Sequence, residues 1–237
     1  MIGLIVAIQF LTRLPTPRIA LGPFDFAASI RWFPAVGTLI GGIVALAAWL
    51  GLRLDPWSGA LAALVAWVAV TGALHLDGLG DVADGAGAAH AGQARMLAAM
   101  ADPHLGSFGV VAITLQLIAK LVLLHAMLAT GPVWVLVPIP FVARIGPLLW
   151  ARWLKPLHEG LGSHFAAAIR PRDIVGWGAI LIGVAVAIPA MAAGLLLLPA
   201  LALWLRRTLG GITGDGHGAG IELVETGLLF TCACLRV

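Results

Sequence analysis

Apolar residues run through this chain in stretches too long for the core of a water-soluble domain, and Gly, Pro and a few charged positions separate them. A helix needs about 20 predominantly apolar residues to cross the hydrocarbon of a bilayer. Stretches that approach or meet this length lie at 34–52, 57–76, 107–129, 133–150, 174–189, 191–205 and 221–235. The run from Ile174 to Leu205 is too long for one helix, and Pro189 with Gly194 supplies a turn between two short ones. The pattern predicts an all-α fold: a polytopic integral membrane helix bundle of about seven transmembrane helices, with six to eight as the range. Residues 1–10 are apolar, and Arg13 follows them instead of preceding them. That reverses the charge order of a secretory signal, so the segment is expected to stay as an interfacial or half-inserted helix.

Composition agrees with a lipid solvent. The chain is 61% hydrophobic and 11% charged, whereas soluble domains are about half apolar and a quarter charged. Its 237 residues hold these spans and short loops, so a single membrane-embedded domain over 1–237 is expected. The pI near 9.5 raises the question of nucleic acid. Against that, the net charge is only +3 and the basic residues are scattered singly, so the expected partner is the bilayer and not nucleic acid. The spans put Arg13, Arg18, Arg31, Arg95, Arg152, Lys155, Arg170, Arg172, Arg206 and Arg207 on one side, and only Arg53 and Arg236 on the other. The positive-inside rule then places the N-terminus and segments 77–106, 151–173 and 206–220 in the cytoplasm. Cys232 and Cys234 have no further Cys or His at metal-ligand spacing and are read as packing residues.

Eleven acidic residues exist, and Asp77, Asp81, Asp84, Asp102, Asp215, Glu222 and Glu225 gather in three short segments on that same face. In T-G-A-L-H-L-D-G-L-G-D-V-A-D-G, Asp77, Asp81 and Asp84 share one stripe of a helix. Like charges so close repel unless a cation lies among them. Oxygen-only donors select a hard ion, Mg²⁺ first. In R-T-L-G-G-I-T-G-D-G, a turn with Gly210, Gly211 and Thr213 leads to Asp215 and a helix bearing Glu222 and Glu225. Such a turn can present N–H groups to phosphate oxygens, although a plain interhelical loop accounts for G-G-I-T-G equally well. Asp77, Asp81, Asp84, Asp215 and Glu222 are the expected metal ligands, the four aspartates being the expected catalytic residues as well. His75, Arg95, Asp102, Lys120, Arg144, Gly210, Gly211 and Thr213 are the expected substrate contacts. For Lys120, a structural ion pair is an equal alternative.

These residues resemble the cobalamin synthases, the adenosylcobinamide-GDP ribazoletransferases. The likeness runs from F-L-T-R-L-P at Phe10–Pro15 and Phe33-Pro34 through the Asp motif at Thr71–Gly85 and R-x-L-x-x-M-x-D at Arg95–Asp102. Lys120, Arg144, E-G-L-G at Glu159–Gly162 and R-T-L-G-G-x-T-G-D at Arg207–Asp215, followed by Glu222, complete it. The chain departs from the family's usual residues at Gly80, Val82 and His217, and no departure removes a carboxylate. The resemblance implies a Mg²⁺-dependent, multi-pass enzyme of the cytoplasmic (inner) membrane. Such an enzyme joins α-ribazole or its 5′-phosphate to adenosylcobinamide-GDP and releases GMP. Two other readings compete: a CDP-alcohol phosphotransferase, whose Asp spacing differs, and a cation transporter, whose acids belong near the bilayer midplane. Oligomeric state has no signature in the sequence.

Overall fold

A computed structural model describes residues 2–17, 23–157 and 164–237, with the side chains of 23–25 outside the description. Arg18, His158 and the motif Glu159–Gly162 therefore lie outside the described residues. The helices are α1 (Ile2–Leu11), α2 (Pro23–Ser29), α3 (Phe33–Gly51), α4 (Pro56–Thr71), α5 (Leu74–Ala88), α6 (Gln93–Met100) and α7 (Ser107–Leu128). They continue with α8 (Pro138–Ala143), α9 (Gly146–Trp153), the single turn α10 (Phe165–Ala168), α11 (Pro171–Ala187), α12 (Gly194–Thr208) and α13 (Gly214–Leu235). No strand occurs among the described residues, only a bridge between Pro156 and Ile212.

Five described helical segments are long and apolar enough to cross a bilayer: Phe26–Gly51, Ser107–Leu128, Val133–Trp153, Pro189–Thr208 and Gly214–Leu235. A sixth is gained if α4 and α5 count as one bent span, which meets the low end of the expected six to eight. Each of the seven apolar stretches is helical, but α4 has 16 residues and α11 has 17, so neither reaches full length alone. The stretch 57–76 is broken where Gly72 and Ala73 both adopt φ near +60°, turning α5 by 84° from α4. Side chains such as Leu46, Leu61, Leu115, Val122, Val186 and Leu196 are exposed on the outside of the bundle. A surface this apolar is costly in water and suited to lipid.

Helices in lipid gain nothing by hiding apolar surface from water, so they associate where small residues let backbones meet. Gly37 and Gly41, one turn apart on α3, face Pro140 and Val137, and a Cβ at either glycine would run into the backbone there. On α5, a Cβ at Gly78 would stand 2.9 Å from the Cα of Asp215. This close approach fixes the site, because it seats α5 across the N-terminal ends of α13 and α7, at the edge of the bundle.

Candidate functional site

Asp77, Asp81 and Asp84 share a face of α5, and α13 begins against that face with Asp215 in its first turn. Thr213 caps α13, its hydroxyl accepting the Gly216 N–H at 2.9 Å. Asp77 is exposed, while Asp81, Asp84 and Asp215 are half-buried. Partial burial, then the nearby carboxylates of Asp215, Asp77 and Asp84, push the Asp81 carboxyl up to about 6. Burial and like charge both disfavour the ionised form. The two acidic motifs therefore share one electrostatic environment.

The expected five-ligand set does not form a single sphere: among the described residues, no three or more His, Cys, Asp or Glu side chains lie close enough together to hold a metal ion. Asp84 serves the N-terminus of α7, its Oδ2 accepting the Gly106 N–H at 2.7 Å and its Oδ1 the Gly109 N–H at 2.9 Å. Glu222 is seven residues beyond Asp215, about 10 Å along the helix. It sits in the interior and accepts from Gln116 at 2.9 Å and pairs with Lys120 at 2.7 Å. Asp77 and Asp215 line one hollow, with Asp81 near them, and all are hard oxygen donors. A pair of carboxylates fits Mg²⁺, which is commonly held by one or two of them, with water and substrate phosphate completing its shell.

Lys120 and Arg144 are likewise drawn away from the acidic face. Lys120 Nζ lies 2.6 Å from Glu225 Oε2, and Arg144 Nη1 lies 2.7 Å from Glu225 Oε1. Arg144 also donates to the Pro140 carbonyl at 3.1 Å and sits 3.5 Å from His75 Nδ1. All these side chains are buried, so the two cations answer buried glutamates and not a substrate's phosphates. Glu225, at the centre of this network, is absent from the site expected from sequence. Its signal was an acid inside an apolar helix, where charge must be paired.

The glycine turn is also committed to the fold. The Gly210 N–H donates to Arg206 and the Ile212 N–H to Lys155, while Leu157 donates to the Ile212 carbonyl. Gly210 takes φ +83°, and Gly211 packs against Lys155 and Leu157, so this turn docks on segment 155–157. The expected phosphate cradle at Gly210 and Gly211 has thus lost the amides on either side to main-chain bonds, and Thr213 is spent on its cap.

Two hollows flank the carboxylates. One, of about 260 Å³, is lined by His75, Asp77, Asp215, His217 and apolar residues including Phe10, Phe33 and Phe165. The other, of about 340 Å³, is an open cleft between α5, α6 and the start of α7. It collects Asp84, Arg95, Asp102 and His104. His104 lies 2.9 Å from Asp102 Oδ1 through its Nδ1. The structure thus brings Arg95 and Asp102 together beside Asp84.

The model of the cobalamin-5-phosphate synthase family matches residues 3–233. An adenosylcobinamide-GDP ribazoletransferase of Novosphingobium aromaticivorans is 57% identical over 239 residues, spanning 98% of this chain and 96% of its own. Proteins of the same name from Thiobacillus denitrificans and Pseudomonas aeruginosa (strain PAO1) are 49% and 38% identical, covering 96% and 98% of this chain and 93% and 97% of their own. No solved structure matches. The matched region runs from α1 into α13 and takes in both acidic motifs, and on this basis the chain belongs to the cobalamin-5-phosphate synthase family.

Proposed function

We propose that this protein joins α-ribazole, or its 5′-phosphate, to adenosylcobinamide-GDP, releasing GMP and giving adenosylcobalamin or its 5′-phosphate as a late step of cobalamin biosynthesis. The reading places the reaction at the cytoplasmic face of the inner membrane and makes it Mg²⁺-dependent. The names of the relatives support the reaction. The observation that carries the site is the backbone contact of Gly78 with Asp215, which joins two acidic motifs far apart in sequence. The ten-to-two distribution of Lys and Arg supports the cytoplasmic face.

In this mechanism a ribazole hydroxyl attacks the phosphorus beside the aminopropanol linker, and the P–O bond to GMP breaks, GMP keeping the electron pair. The hydroxyl proton passes to a carboxylate. Asp84 is engaged by two amides of α7. Asp81 stands near Asp77 and Asp215 and is the carboxylate proposed to accept that proton. Asp77 and Asp215 border the same hollow and would hold Mg²⁺. When bound there, the ion neutralises charge on the diphosphate and on departing GMP. Arg95, in the adjoining cleft, would orient a phosphate.

Purified protein should release GMP from adenosylcobinamide-GDP only when α-ribazole and Mg²⁺ are both supplied. Asp77→Asn should raise the Mg²⁺ concentration required, whereas Asp81→Asn should stay inactive at saturating Mg²⁺. Release of CMP from a CDP-alcohol, or of no nucleotide at all, would refute the reading.

A further inference from the structure

The hollow beside Asp77 and Asp215 is walled chiefly by apolar groups: Phe10, Leu11, Phe33, Leu74, Pro147, Phe165 and Ile221. Phe33 and Phe165 meet edge to face at 5.9 Å. His217, buried on α13, lies nearly parallel to the Trp150 ring at 6.1 Å and across the Phe165 ring at 6.2 Å. Two buried polar atoms in the residues that line this hollow, His217 Nδ1 and His75 Nε2, have no hydrogen-bond partner among the described residues. A buried polar atom without a partner is costly, and a bound ligand is one way of satisfying it. Apolar walls with a few polar groups and a charged mouth are the make-up of a small-molecule site.

We infer that this hollow receives the flat base of the ribazole nucleoside, with His217 as its hydrogen-bonding partner, and so selects the acceptor substrate. The inference rests on the proposed transfer reaction, whose substrates offer three large groups. A guanine carries donors and acceptors around its edge, and against these walls most of them would lose water without finding a partner. The corrin ring with its amide fringe is too large for about 260 Å³. The dimethylbenzimidazole base of α-ribazole is compact, planar and apolar, and has one free ring nitrogen. Seated here, it puts its sugar at the Asp77 and Asp215 mouth, where the proposed chemistry needs the attacking hydroxyl. His217 would donate from its ring to that nitrogen, which fixes its tautomer.

The test measures binding to the full chain in detergent or nanodiscs, by equilibrium dialysis of α-ribazole and separately of adenosylcobinamide-GDP. Leu74→Trp, which fills the hollow from its half-buried wall, should weaken α-ribazole at least tenfold and leave adenosylcobinamide-GDP within twofold. His217→Leu keeps apolar bulk and guards against a folding failure in the first variant. The wild type should bind α-ribazole about tenfold more tightly than the analogue in which CH replaces the free ring nitrogen, a ratio in keeping with one hydrogen bond. His217→Leu should bring that ratio to about one, a change that a purely structural role for His217 would not produce. Unchanged α-ribazole affinity in Leu74→Trp, loss of adenosylcobinamide-GDP binding instead, or an unchanged analogue ratio in His217→Leu would overturn the inference. Binding as expected without GMP release would instead refute the proposed reaction and leave the pocket standing.

Discussion

Glu225→Gln probes the buried charges most directly. Glu225 accepts from both Lys120 and Arg144, at 2.6 and 2.7 Å. With Glu222 the group holds two cations and two anions and is neutral. The glutamine keeps the shape but leaves two cations against one anion, a net +1 among side chains that are 5% exposed or less. Removing one partner of a buried pair costs about 3–5 kcal/mol, because an uncompensated charge stays behind. At roughly 2–4 °C per kcal/mol for a chain of this size, melting should fall by roughly 6–20 °C. The assay is thermal unfolding in nanodiscs, followed by fluorescence of the nine tryptophans. Lys120→Met should be destabilised similarly, with the excess charge reversed. Combining Lys120→Met with Glu222→Gln restores neutrality, so the pair should melt well above the sum of the single losses. Strict additivity, or single losses below about 1 kcal/mol, would refute charge coupling. A change confined to KM would return Lys120 to substrate binding, as the sequence had suggested.

Three further outcomes follow from the site. Folding raises the Asp81 carboxyl from the ordinary 3.8 to about 6, so its charge destabilises the metal-free fold increasingly as pH rises from about 4 through 6. Asp81→Asn should therefore gain stability over wild type at pH 7.5 in the absence of metal and lose that advantage near pH 4; a constant difference in melting across that range would contradict the assignment. Asp84→Ala should cost about 1–2 kcal/mol in unfolding experiments by releasing the two amides at the start of α7, and Thr213→Ala about 1 kcal/mol at α13, whereas equal stability would mean the caps are unimportant. In a chain whose two native cysteines are replaced by Ser, Ala94→Cys should be labelled only from the cytoplasmic side and Leu54→Cys only from the opposite one, and the reverse labelling would invert the proposed orientation.

Seven helical stretches, the acidic stripe of α5 and the need to pair Lys120 and Arg144 were all legible in the sequence. Each follows from a local rule: the length of an apolar run, the 3.6-residue period, or the cost of charge in lipid. The fates of residues within these patterns were not legible. Asp77 and Asp84 lie two turns apart on one stripe, yet Asp77 faces the hollow while Asp84 holds the amides of α7, 22 and 25 residues further on. Glu222 and Asp215 stand on one helix, yet Asp215 meets Gly78 of α5, whereas two helical turns carry Glu222 into the interior, where Lys120 reaches it. Gly210 and Gly211 looked like a phosphate cradle until Lys155 and Leu157, more than 50 positions earlier, docked on that turn. Local patterning determined which elements form and which solvent surrounds them, because those choices depend on neighbours along the chain. Which carboxylate stays open to a ligand depends on partners brought in by close backbone packing at Gly37, Gly41 and Gly78, and only the tertiary structure decides where those backbones meet.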